Sequence, residues 1–247
     1  MVSKHLIIIA MLLCSSPILQ AQECVNQLLA SFDKLARQCD PERFDTYHAS
    51  YSLEQQSWKG ERSAHRFDTY SNGTRNYLFS DDYSVCADES MTVSVQKPGE
   101  TIYVGRSINS ELRKQGIARV MQQQMNNIQM LELQSCEQVE VDGRQRTRLV
   151  MTCPERYRSV YQVHQLVYEF DADFIYEVSV LGTESNPWKR TTYTIHRIET
   201  NQQFAQLNKA PTDLVFDANG KLLPEYSNYN IEQIGTATAS TSNTPKQ

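Results

Sequence analysis

From residue 44 onward the apolar side chains recur at every second position, in run after run. Tyr47, Ala49, Tyr51 and Leu53 alternate with His48, Ser50, Ser52 and Glu54, the pattern of a strand with one buried face. The same period predicts strands over Arg62–Tyr70, Thr74–Ser80, Met91–Gln96 and Thr101–Gly105. A second set follows at Leu131–Val141, Gln145–Cys153, Val160–Asp171, Phe174–Thr183 and Lys189–Glu199. Turn residues part them at Lys59-Gly60, Asn72-Gly73, Asp81-Asp82, Pro98-Gly99 and Asp142-Gly143. About ten antiparallel strands do not stay flat in one sheet; they curl or split into two layers.

Two segments break the period. Val25, Leu28, Leu29, Phe32, Leu35 and Ala36 recur at helical spacing and predict one amphipathic helix over Cys24–Gln38. Ser110–Ile128 reads as a second, with Ile117, Val120, Met121, Met125 and Ile128 on one side. Each helix has an apolar stripe to hide, and a strongly curved antiparallel sheet hides both in its concavity. The expected class is therefore α+β, a single domain over residues 22–234. After Phe216 a turn at Asp217-Ala-Asn-Gly leads into a short segment expected to dock as a sheet edge. The Thr/Ser/Ala-rich stretch 235–247 is expected to be a disordered tail.

The N-terminus predicts export. Lys4 and His5 precede an apolar run over Leu6–Ile18, and Ala21 offers a small residue for cleavage, so residues 1–21 read as a signal peptide. The run is too short for a bilayer core, which takes roughly 20 helical residues. No later stretch is long and apolar enough to span a membrane. The expected address is the periplasm or the medium. Cys24, Cys39, Cys86, Cys136 and Cys153 lie beyond the cleavage point, in a compartment that favours disulfides. Cys136 and Cys153 flank the Asp142-Gly143 turn and are expected to pair. Cys24 and Cys39 bracket a helix that holds them roughly 22 Å apart, too far to bridge. The expected second pair is Cys39–Cys86, leaving Cys24 free.

Several function classes find no support. A net charge of −5 argues against nucleic acid and leaves no polybasic anchor for an anionic membrane. His48, His65, His164 and His196 each stand alone in a strand-like run, without metal-ligand spacing. The sequence has no Gly-x-Ser-x-Gly elbow, and no glycine-rich phosphate loop. Asp81-Asp82 and Asp171/Asp173 fall where hairpins turn, where Asp serves the backbone. The expectation is no catalytic group, no metal and no cofactor.

The order of elements resembles the periplasmic lipoprotein-carrier superfamily, the LolA/LolB-like half-barrels. The residues that carry the resemblance are the helix Cys24–Gln38, the strand pattern Tyr47-His-Ala-Ser-Tyr-Ser-Leu-Glu, the helix Ser110–Ile128 and the long strands after it. It spans Cys24 to Ile234 as architecture, without a diagnostic motif. The closing Gly220-Lys-Leu-Leu-Pro-Glu-Tyr-Ser-Asn-Tyr is similar to the ends of exported proteins of Bacteroidetes-type bacteria. The resemblance implies a half-barrel that holds acyl chains or other lipophilic groups between sheet and lid. No particular Arg here matches the one that lipoprotein carriers use in their cavity.

The reading is a non-catalytic carrier or binder of a lipophilic ligand, whether a small molecule or an acylated protein. The chain is expected to be monomeric and to have a partner in the cell envelope. The expected cavity residues are Tyr51, Leu53, Phe79, Val93, Leu166, Tyr168, Val178, Val180 and Ile195 from the sheet, with Val120, Met121 and Met125 from the helix. In the alternative, a structural or interaction module of the envelope, the same residues fill an ordinary core.

Overall fold

The computed structural model describes residues 22–37, 45–107, 125–126 and 128–234. The signal segment 1–21, Cys39, Val120, Met121, most of the second expected helix and the tail 235–247 lie outside the described residues. Residues 22–37 form the helix α1. The first set of strands is β1 (Tyr47–Ser57), β2 (Arg62–Ser71), β3 (Asn76–Ser80), β4 (Tyr83–Ala87), β5 (Met91–Gln96) and β6 (Thr101–Arg106). The second comprises β7 (Glu132–Val141), β8 (Arg144–Thr152), β9 (Val163–Phe170), β10 (Ile175–Gly182) and β11 (Trp188–Thr200), with a short helix α2 (Glu155–Tyr161) between β8 and β9. β12 (Asn230–Ile234) comes last.

All twelve strands belong to one open, curved sheet, in the order β12-β6-β5-β4-β3-β2-β1-β11-β10-β9-β8-β7. The α+β class holds, but the described residues form twelve strands and not about ten. Tyr83–Ala87, which lies between two of the expected strands, is a strand of its own between β3 and β5. The closing segment does dock at an edge, as β12 running parallel to β6. The long strand expected from Val160 is also corrected. Val160 and Tyr161 end α2, which starts after Pro154, and the strand begins at Val163. Proline suits a helix start, and Gln162 at φ 54° stops the helix in a left-handed residue.

The register shows which side chains share a face. Leu149 lies opposite Tyr168, Tyr168 opposite Val178, and Val178 opposite Tyr193. A neighbouring row joins Met151, Leu166 and Val180. On this first face the stripe of α1 is buried, with Leu28, Phe32 and Leu35 packed among Leu149, Met151, Tyr168, Phe170 and Ile175. Phe32 meets Tyr168 edge to face at 5.9 Å between ring centres. Burying each such large side chain contributes about 2 kcal/mol.

At the other end of the sheet the opposite face is buried. One row runs His48, Tyr70, Tyr77, Cys86, Val93 and Val104 across β1 to β6. Over this second face lie residues 204–229, whose Leu207, Leu214, Val215, Phe216 and Leu222 pack on Tyr77, Cys86, Val93, Val95 and Ile102. Where the two regimes meet, the buried imidazole of His48 sits between Asp68 (2.9 Å) and Glu199 (3.2 Å). Its ring stacks on Tyr70 at 4.3 Å and meets Phe204 at 5.7 Å.

The expected disulfides are overturned. Cys24 pairs with Cys136, closing 112 residues of chain between α1 and the edge strand β7, while Cys86 and Cys153 are free and buried. The hairpin turn at Asp142-Gly143 is where it was expected, but its register puts Cys136 opposite Leu149, far along the strand from Cys153. Cys86 faces the covering 204–229 segment. Cys24 lies on the stripe of α1 that meets the sheet.

Two outcomes follow from this packing. Chain-entropy arguments give a loop this long roughly 2–5 kcal/mol of stabilisation. Urea unfolding of the double variant Cys24→Ser/Cys136→Ser is expected to show a loss in that range. Asp171 closes the β9–β10 turn: its carboxylate accepts from the amides of Asp173 (2.7 Å) and Phe174 (2.8 Å) and from the Tyr176 hydroxyl (2.7 Å). Burial alone would raise its pKa, but these bonds and the charge of Lys34 outweigh burial and hold it below the ordinary carboxylate range. A depressed pKa contributes stability above the unfolded value, about 3.9, and loses it as pH falls through the folded one. Asp171→Asn is therefore expected to cost about 1 kcal/mol at neutral pH and to flatten the acid limb of the stability–pH curve.

Candidate functional site

A cavity of about 190 Å³ lies on the first face, where α2 crosses the ends of β9 and β10. Leu166 and Val163 of β9 and Val180 of β10 form its floor, and Tyr157 and Tyr161 of α2 its roof. Met130 and Leu131, just before β7, close one side, and Cys153 another. Every lining side chain is apolar, aromatic or a thiol.

Local sequence explains the shape. Tyr157 and Tyr161 stand four apart on α2, so both project from one side of the helix, with ring centres 6.2 Å apart. Arg158 donates from Nε to the Cys153 carbonyl at 2.9 Å and pins the helix start. At the other end, Gln162 accepts at its carbonyl from the Thr183 amide (3.1 Å) and from the Asn186 side chain (3.1 Å), tying α2 to the β10–β11 loop. That loop folds tightly over Gly182: a Cβ there would stand 2.3 Å from the Trp188 carbonyl oxygen. No residue of α2 is fully buried. The helix therefore roofs the site without filling it.

A volume of about 190 Å³ is below the roughly 300–1,000 Å³ of a drug-sized site and near the ~150 Å³ that holds one benzene ring. The site accommodates one ring or the end of an alkyl chain. Burial pushes the Cys153 thiol up, against the nearby Arg158 charge. Burial also pushes up Cys86, to about 11, on the opposite face.

The expected cavity residues divide. Leu166 and Val180 line the cavity. Tyr168, Val178 and Ile195 share its face but belong to the core under α1, as does Met125. Tyr168 is fully buried, and its hydroxyl has no hydrogen-bond partner. Tyr51 and Leu53 are half-buried farther along the same face, where Tyr51 stacks on Phe67 at 5.1 Å. Phe79 and Val93 are corrected: register puts both on the opposite face, Phe79 against Tyr77 and Val93 in the core under Val215. Met130, Leu131, Cys153, Tyr157, Tyr161 and Val163 were not expected. The readable signal was Pro154-Glu155 as a helix start, followed by two tyrosines at helical spacing.

Behind the cavity the second face of β7–β11 is polar. Arg148 grips Glu169 through Nε (3.0 Å) and Nη2 (2.7 Å), and the Arg146 guanidinium lies 4.0 Å over the Tyr176 ring. These pairs cross-link neighbouring strands on a face where the polar Glu169 and Ser179 are buried. Among the described residues, no group of three or more His, Cys, Asp or Glu side chains could hold a metal ion. No helix there is long and apolar enough to cross a membrane.

No protein-family model and no curated protein sequence matches the chain. Solved structures do. An uncharacterized conserved protein of Thermus thermophilus is 10% identical at a TM-score of 0.40, over 87% of this chain and 99% of that one. The Mycobacterium tuberculosis lipoprotein LppX is 13% identical at a TM-score of 0.37, over 74% and 97%. A LolA superfamily protein of Nitrosomonas europaea is 8% identical at 0.29, over 77% and 97%. No ligand or partner of those proteins transfers to this chain on so loose a likeness.

The burial of both free thiols has a direct readout. Peptide-resolved labelling with a hydrophilic maleimide is expected to modify Cys86 and Cys153 at least about tenfold more slowly in the folded chain than in denaturant.

Proposed function

We propose that the chain is an exported, non-catalytic binder or carrier of a lipophilic ligand, a lipid or the acyl chain of a modified protein. The observation that carries this reading is the cavity between α2 and the sheet, a space walled by apolar and aromatic side chains and left open by a helix that buries nothing fully. Only part of the first face serves: under α1 it is filled by the protein's own Phe32, Leu149 and Tyr168. The ligand end that enters is accordingly short. In this reading the curved sheet is a half-barrel with α1 in its concavity. Residues 1–21 are the removed export signal, 22–234 one domain and 235–247 a tail without a packed role.

Val180→Phe puts a ring into the cavity. It is expected to weaken binding of a fluorescent fatty-acid probe at least tenfold, about 1.4 kcal/mol, with little change in melting temperature. Organic extraction of the protein purified from its native compartment, followed by mass spectrometry, is expected to yield lipid. A clean extract together with no probe binding by the parent chain would sink the proposal.

A further inference from the structure

Four large apolar side chains stand exposed at one end of the sheet. They are Val160 (72% exposed) and Tyr161 (45%) on α2, Trp58 (46%) in the β1–β2 turn, and Met130 (36%) before β7. The topology brings them together. Near this end a row of paired residues runs Glu132, Thr152, Gln165, Leu181, Arg190, Gln56 and Arg62. Among the described residues, the β1–β2 turn, α2, the β10–β11 loop and the approach to β7 lie beyond it, with the closing pairs Gly182–Val163 and Ser57–Trp188. Hydrogen bonds fasten three of these to one another: Trp58 Nε1 donates to the Asn186 carbonyl at 2.8 Å, and the Asn186 side chain to the Gln162 carbonyl at 3.1 Å. The four side chains thus stand on a braced rim. Tyr161 and Met130 also line the cavity, so its mouth opens there.

The rim departs from the rest of the surface in charge as well. Lys59, Arg62, Arg156, Arg158 and Lys189 stand there against Glu61, Glu132, Glu155 and Glu184, while Arg190 turns to Glu177 and the Ser179 hydroxyl. That is a local excess of positive charge in a chain whose net charge is −5. None of these residues forms a basic run in the sequence; only folding gathers them. Tryptophan and tyrosine beside aliphatic tips and basic side chains are what the interface of a bilayer accommodates, rings at headgroup level and cations against anionic lipid. A protein-docking face of this kind has a closed apolar centre, whereas here the apolar tips are spaced along a rim with charges between them.

We propose that this rim docks on the surface of an anionic lipid bilayer, with Val160, Tyr161, Trp58 and Met130 entering the interface. The docking is peripheral and reversible, and it rests on the composition of the rim rather than on occupancy of the cavity. Docked in this way, the cavity mouth faces the acyl region directly.

The test uses the full exported chain, purified after processing, in flotation with vesicles of phosphatidylcholine alone or with about a quarter phosphatidylglycerol. Binding to the anionic vesicles is expected, reduced severalfold when salt rises from about 0.05 to 0.5 M. Trp58→Ser and Val160→Asp, neither of which lines the cavity, are each expected to lower vesicle binding about tenfold. Both are expected to keep the parent's melting temperature and its affinity for the fatty-acid probe in vesicle-free solution. Absence of parent flotation, the result a protein-docking rim gives, overturns the proposal, and so does flotation that both variants retain. Probe binding is measured separately, so a failed rim and a failed cavity are told apart.

Discussion

A sheet of twelve strands has two faces, and among the described residues the other elements cover neither completely. α1 covers one face over β8–β10, and residues 204–229 cover the other over β3–β6. The buried face therefore has to change sides partway across, and the change falls on β1 and β2. Tyr51 and Phe67 look to the first face, while His48 and Tyr70 look to the second. A strand buried in part on both sides cannot be wholly apolar or cleanly alternating. This is why β1 carries a histidine and a serine, His48 and Ser50, among its buried positions. Pairing His48 with two carboxylates satisfies the polar atoms that the change of face buries.

The cavity follows from the same shortage of cover. The row Leu149–Tyr168–Val178 lies under α1 and is filled by Phe32 and its neighbours. One row farther on, at Met151–Leu166–Val180, α1 gives way to α2, a helix of 7 residues held by its ends. So short a helix bridges the gap without reaching into it. The site is a consequence of where one covering element stops and a thinner one takes over.

The period of two marked nearly every strand and most turns, because alternation reports burial that is local to each strand. Several features were not legible. β4 is only five residues long and sits between turn residues, so its alternation is too brief to stand out. Phe79 and Val93 read as partners of Leu166 because each is apolar in its own strand, yet the side a strand hides depends on what covers it. That cover comes from more than a hundred residues away for both. Cys136 and Cys153 flank a turn whose place was readable, but they stand six residues before Asp142 and ten after Gly143, an asymmetry that a two-residue hairpin does not allow. The aromatic pair on α2 was hidden by Val160 and Tyr161, which favour strands in isolation.

The pairing of β1 with β11 sets Tyr47 beside Thr200, so the middle of the sheet joins two segments far apart in the sequence. A ribosome delivers these partners far apart in time. By the time β6 emerges, β2–β6 can pair with one another. The hydrophobic row at Tyr77, Val93, Val95 and Ile102 then has no cover until residues 204–229 are made. The half-made protein is thus a meander with one sticky side and a central strand β1 unpaired along its β11 edge, a form of nascent chain prone to aggregate. Such a polypeptide relies on being escorted during its birth, and a message cut short before residue 204 yields a product that quality control must remove.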